Sequence, residues 1–246
     1  MPSSVVPRGV SVDLGEEELE MTFQIALVGS DGLVVGSDRK MVYRTQERNG
    51  APYSQPSASD KFTQSADASI VCFFAGGPQA KSIADLIVTE CKPDQHLAAW
   101  HNDLRKTAEM LPADSYGAEI IVIRAQRGDI ALINKTGQIV GVSPVDGARC
   151  TGVTVKCRFF VEAFWEKTHV EGLRQLALIA LQNAASERSE SVGFGFNLML
   201  LKDGNARWEE FSENDGRVLA ICDQFRQQVR HSIFGFAEES GNARIP

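Results

Sequence analysis

The chain has 246 residues, 43% hydrophobic and 23% charged, enough apolar material for one large core or two small ones. Its net charge of −7 argues against nucleic acid or an anionic membrane as a partner, because both select basic surfaces. No apolar run approaches the ~20 residues that span a bilayer, and residues 1–20 lack the cationic start and apolar core of a secretory signal.

Residues 1–21 combine Pro2, Pro7 and several serines with an acidic cluster from Glu16 to Glu20, the composition of a flexible leader. Residues 22–41 alternate, with Phe23, Ile25 and Leu27 on one face and Leu33, Val34 and Val35 beyond an Asp31-Gly32 turn. That pattern predicts a hairpin. Residues 45–59 are polar, with Pro52 and Pro56, and predict a long loop. Ser69–Ala75 is a buried strand stopped by Gly76-Gly77-Pro78. Helical spacing follows over Gln79–Glu90 and Gln95–Leu111.

Glu119–Ala125 and Asp129–Ile133 form a second hairpin, and Gln138–Val142 a further short strand. The Arg127-Gly128-Asp129 between them is ordinary turn chemistry rather than an adhesion motif. Val153–Glu166 and Gly172–Ala185 predict a helix pair. Gly193–Leu201 and Arg207–Phe211 predict a strand pair, and Asp215–Val229 a last helix. Helices segregated from antiparallel strands in this order predict an α+β fold, a four-layer αββα sandwich of two antiparallel sheets flanked by helices. One domain over residues 22–232 is expected, between the leader at 1–21 and a C-terminal tail at 233–246.

Cys72, Cys91, Cys150, Cys157 and Cys222 are odd in number and lack the two-residue spacing of a zinc or redox motif. They read as small buried hydrophobes of a reduced cytoplasmic protein. His96, His101, His169 and His231 are scattered, so neither a metal site nor any other cofactor is expected.

Four segments stand out together: Thr22 opening an alternating strand, Asp38-Arg39-Lys40 after the hairpin, Asp60-Lys61-Phe62, and Phe73-Phe74-Ala75-Gly76-Gly77. In this order they resemble the proteasome-type, β-subunit-like branch of the N-terminal-nucleophile hydrolases, and in particular bacterial proteasome-like proteins. The resemblance runs over roughly residues 22–230. It implies that Thr22 is the nucleophile, Asp38 and Lys61 its tuning pair, and Gly76 the residue whose amide meets the oxyanion. Cys150-Thr151-Gly152 matches the family's Gly-Ser-Gly, with Thr151 in place of serine. The family's later acidic residue and serine fall within Ser186–Ser191, where Glu187 and Ser191 are candidates and Ser189 and Glu190 are alternatives. By register, Met41 and Phe74 lie where the family has its side-chain pocket; for Phe74, plain core packing is an equal reading.

Several features depart from the family pattern. Met21 precedes Thr22 where self-cleaving subunits carry glycine, the Asp38-to-Lys61 segment is longer, and Thr151 and the Glu187/Glu190 region are substitutions rather than matches. Some bacterial proteasome-like proteins begin at Met-Thr and lose the methionine to an aminopeptidase.

The chemistry follows from the groups. A threonine at a mature N-terminus carries a hydroxyl nucleophile and an amine base on one residue. An α-amine titrates near ~7.7–8, so it can take the hydroxyl proton and return it to the leaving amine. A Lys61 ammonium nearby favours the neutral amine, and Asp38 holds the lysine. The resemblance thus implies a threonine-type hydrolase of peptide or amide bonds, assembled as a homo-oligomer, ring or filament, in the cytoplasm. A catalytically silent structural subunit and a small-molecule amidohydrolase are the competing expectations on the same fold.

Overall fold

A computed structural model describes residues 22–45, 53–110, 118–136, 139–152 and 155–232. The expected leader at 1–21 and tail at 233–246 lie outside the described residues.

In chain order the elements are Phe23–Val28 (β1), Gly32–Asp38 (β2), Lys40–Thr45 (β3), Tyr53–Ala58 (β4), Phe62–Gln64 (β5) and Ile70–Ala75 (β6). Helices Gly77–Glu90 (α1) and Leu97–Ala108 (α2) follow, then Glu119–Arg124 (β7), Asp129–Thr136 (β8), Ile139–Pro144 (β9) and Ala148–Gly152 (β10). The remainder is Val155–Phe164 (α3), Val170–Glu187 (α4), Phe196–Lys202 (β11), Asn205–Phe211 (β12) and Gly216–Arg230 (α5).

Strand alternation divides the side chains among three layers of core. One antiparallel sheet has the order β10-β1-β2-β11-β12 and the other β5-β6-β7-β8-β9. On the first sheet Phe23, Ile25, Leu27, Leu198 and Leu200 turn outward to Val161, Leu178, Leu181 and Val218 of α3, α4 and α5. On the second, Ile70, Cys72, Phe74, Ile120 and Val122 turn outward to Ile83, Ile87, Trp100 and Leu104 of α1 and α2. The intervening residues, among them Ala26, Val35, Val71, Phe73, Ile121, Ile123 and Met199, meet between the sheets. The expected four-layer αββα sandwich is therefore the architecture. Apolar area leaves water at all three interfaces, with each buried large side chain worth roughly 1.5–3 kcal/mol.

Of the segment expected as a loop over 45–59, residues 46–52 lie outside the described residues and Tyr53–Ala58 is a strand. β3 and β4 form a separate two-stranded ribbon, registered from Lys40↔Ala58 to Thr45↔Tyr53. Its sequence shows no apolar alternation because the ribbon joins neither main sheet. Pro56, which has no N–H to give, is tolerated in such an unflanked strand. The ribbon is the physical content of the long Asp38-to-Lys61 spacing, since both its ends are rooted between those two residues.

The Arg127-Gly128-Asp129 turn is used internally. Asp129 pairs with the buried Arg124, whose guanidinium lies 4.4 Å from the Trp100 ring centroid. Cys72, Cys157 and Cys222 are buried in the helix-facing cores, and burial pushes the Cys150 thiol up to about 12.

Candidate active site

Thr22, Asp38 and Lys61, separated in sequence, meet at one end of the gap between the sheets. Thr22 opens β1, Asp38 ends β2 beside it, and Lys61 reaches over from just before β5 of the other sheet. The Lys61 ammonium donates to Thr22 Oγ1 at 2.8 Å and to Asp38 Oδ1 and Oδ2 at 3.1 and 3.0 Å. Asp38 and Lys61 are 0% and 1% exposed, and Thr22 is 4% exposed. Burial pushes the Asp38 carboxyl up, opposed by the Lys61 ammonium and by the N–H groups of Phe23 and Lys40. Those amides donate to Asp38 Oδ1 at 2.9 Å and Oδ2 at 3.1 Å, and the Gly193 amide adds a longer contact to Oδ2 at 3.4 Å.

This geometry defines what the threonine hydroxyl can do. Because Lys61 donates to Oγ1, that oxygen is an acceptor toward the lysine, and its own proton points elsewhere. The same ammonium is placed to stabilise negative charge on Oγ1, in a water-poor site where such stabilisation is strongest. Asp38 keeps the lysine charged and fixed, since an ammonium buried without an anion is strongly disfavoured.

Gly76 sits between the end of β6 and the start of α1, at φ 100°, ψ 36°. That left-handed conformation disfavours a side chain, which explains glycine there. The first N–H groups of α1 have no intrahelical acceptors, and the helix dipole favours negative charge at this end.

Thr151 lies on β10, whose register places it opposite Gln24 and Gly152 opposite Phe23. Its hydroxyl is buried and contacts Gln24 Oε1 at 3.3 Å. Gly152, at φ 93°, supports the Thr22 backbone: a Cβ there would stand 1.6 Å from the Thr22 carbonyl oxygen. Glycine is thus required by both conformation and contact.

The remaining predicted residues are not gathered with Thr22 by their side chains. Glu187 is the exposed last residue of α4, and the Ser191 hydroxyl turns back to the Arg188 carbonyl at 3.3 Å. The segment that carries them approaches the site through its backbone instead. Gly193 N–H faces Asp38, and the Arg39 N–H donates to the carbonyls of Gly193 and Gly195, both at 3.1 Å. The Ser189 carbonyl accepts from the Lys40 ammonium. Phe74 is 4% exposed and faces α1 and α2, the core-packing alternative of the two open to it. Met41 stays half-buried on β3 opposite Ser57.

Two polar residues of this region were not singled out from sequence. Gln24, fully buried on β1, holds Thr151 and stands in register with Ser37 on β2, which in turn faces Asn197 on β11. Glu119, at the start of β7, crosses from the second sheet to the Gly152 N–H at 2.9 Å. A polar residue at an inward position of an apolar strand was the available signal for Gln24. For Glu119 there was none, since a strand-initial glutamate is ordinarily solvated.

The fold is of the proteasome-like N-terminal-nucleophile class. Within it the chain is similar to Anbu, named as an ancestral β-subunit, from Yersinia bercovieri. The TM-score is 0.63 at 16% identity, over 87% of this chain and 96% of that one. A Gly-1 mutant of Anbu from Hyphomicrobium sp. strain MC1 superposes with a TM-score of 0.65 at 13% identity, over 86% and 96% of the two chains. A second Anbu structure from that strain gives 0.60 at 13%. No family model and no curated protein matches the sequence. Identities this low establish the shared fold and leave the chemistry to the site itself. No helix among the described residues is long and apolar enough to cross a membrane.

Proposed function

We propose that the protein is a threonine-type amide or peptide hydrolase in which Thr22, once it is the first residue, attacks the scissile carbonyl. The observation that carries this reading is the buried Lys61 ammonium held by Asp38 and donating to Thr22 Oγ1 at 2.8 Å. A surface lysine–aspartate pair is worth about 0–1 kcal/mol and needs no burial. Here burial of both charges beside a hydroxyl is costly in stability and suits the chemistry of an activated nucleophile.

In the proposed sequence the free Thr22 amine takes the hydroxyl proton and Oγ1 attacks the carbonyl carbon. The oxyanion settles near Gly76 and the first turn of α1, and the protonated amine delivers its proton to the leaving nitrogen. Water then hydrolyses the ester on Oγ1 by the same base, and the product acid leaves. The substrate is a peptide or a small amide, the assembly a homo-oligomer like the ring or filament expected above, and the setting cytoplasmic.

This reading demands that residues 1–21 be removed, because a Thr22 nitrogen acylated by Met21 is an amide and no base. The test compares a chain beginning at Thr22 with one retaining residues 1–21 against a panel of fluorogenic amides. Hydrolysis by the first and none by the second is expected. Equal rates would make Thr22 an ordinary strand residue, and silence of both would favour the structural subunit.

A further inference from the structure

Among the residues that bridge the gap between the sheets at this end of the sandwich, two flank β1. One is Lys61, which clamps Thr22 from the β2 side. The other is Glu119, on the opposite side of β1. Glu119 stands in register with Ala75, the residue before Gly76. Its side chain shares the inward face of β7 with Ile121 and Ile123. From there Oε2 accepts the Gly152 N–H at 2.9 Å, and the Thr151 hydroxyl lies within its reach. Gly152 is the residue against which the Thr22 carbonyl rests.

The need for such a support is physical. Among the described strands β10 is at the edge of its sheet and pairs with β1. Once Thr22 is a terminus, no preceding residue holds it, and its position depends on Lys61 in front and on β10 behind. An edge strand held on its helix side by Ala148 and Cys150 is open toward the other sheet, and a bond to that sheet makes it a firmer stop.

We propose that Glu119 is a positioning residue of the hydrolytic site, fixing Thr22 for attack by holding Gly152 and the end of β10 across the gap between the sheets. The proposal rests on the reading of Thr22 as nucleophile. It adds a second carboxyl whose charge state is felt there. Burial pushes the Glu119 carboxyl up, opposed by the Gly152 N–H, the Thr151 hydroxyl and the Arg158 guanidinium. The groups around it are Gly152 N–H and Thr151 from β10 and Arg158 from α3, with Gln24 of β1 beyond, against Thr151. Asn134 stands opposite it on β8 with Lys135 next in chain, and Ala75 stands opposite it on β6. The Lys61–Asp38 pair beyond is neutral as a unit. As pH falls through the raised value Glu119 loses its charge; above it, the carboxylate favours the protonated, inactive form of the Thr22 amine.

The test uses the chain beginning at Thr22, with two readouts. Without substrate, the Gly152 amide resonance should titrate with an inflection above the ordinary glutamate range, equally in Thr22→Ala, and lose that inflection in Glu119→Gln. With substrate, Glu119→Ala should lower kcat about tenfold with KM within about twofold, the size of one lost hydrogen bond to the positioning strand. Glu119→Gln, which still accepts from Gly152, should recover most of that loss and move the acid limb of the rate profile to lower pH. A purely structural glutamate would show the first effect without the shifted limb. A Gly152 amide that does not titrate, or a Glu119→Ala enzyme with undiminished kcat, overturns the proposal. A chain that titrates as expected but hydrolyses nothing overturns the threonine reading, and this proposal with it.

Discussion

Replacing Thr22 by alanine, in a chain that begins at residue 22, will abolish amide hydrolysis while the fold survives. The loss expected is on the order of 10⁴-fold or more, as for removal of any covalent nucleophile. The change in stability is small and has a defined origin. Thr22 Oγ1 is a buried acceptor for Lys61 at 2.8 Å, so alanine leaves the ammonium one acceptor short, at a cost of about 1 kcal/mol. Lys61 retains both oxygens of Asp38 and remains satisfied in charge. Thr22→Ser keeps a hydroxyl and an α-amine and should keep a measurable fraction of the rate. Steady-state hydrolysis beside a thermal unfolding curve checks both parts. Turnover by the alanine variant at the wild-type rate contradicts the mechanism.

The second large effect is at Lys61. Lys61→Ala removes the donor to Oγ1 and should lower kcat by roughly 10²–10³, the range found for a lost charge-stabilising donor. It also leaves Asp38 buried at 0% exposure without its cation, which costs about 3–5 kcal/mol when the charge is kept. The Asp38 carboxyl escapes that cost by protonating, a shift its burial already favours. Lys61→Arg preserves the charge, but the planar guanidinium cannot place one compact donor between Oγ1 and both carboxylate oxygens. Its stability should therefore recover well above that of the alanine variant while its kcat does not. Recovery of both together would assign Lys61 a structural role only. Measuring kcat and the unfolding midpoint on the same preparations separates these outcomes.

How much of this was legible in sequence depends on what carries the signal. β1, β2, β6, β7 and β8 announced themselves because strict alternation or a buried apolar run leaves one geometric solution. Helices α1, α2, α4 and α5 did so by their 3.6-residue period. The β3–β4 ribbon was illegible because its sequence carries no apolar alternation, so it looks like a loop. β5 spans three residues, too short for any period to register, and β10, Ala-Arg-Cys-Thr-Gly, reads as a connection into α3.

At the site, Thr22, Asp38 and Lys61 could be named because each carries its chemistry in a side chain at a recognisable register. In the Ser186–Ser191 region the resemblance implies a carboxylate and a hydroxyl. That region and the segment after it instead present backbone groups of Ser189, Gly193 and Gly195, which no residue type betrays. Glu119 was hidden for a related reason. Only the packing of one sheet on the other shows that a glutamate at the start of β7 ends at Gly152.

The central claim is that Thr22, as a free N-terminal residue, is the nucleophile. The most direct measurement is a peptide map of the active protein after reaction with an acylating electrophile such as a β-lactone. An adduct carried by Thr22 Oγ1, on molecules whose sequence begins at Thr22, is the predicted result. An adduct on any other residue, or on molecules in which the Met21–Thr22 bond is intact, would contradict it.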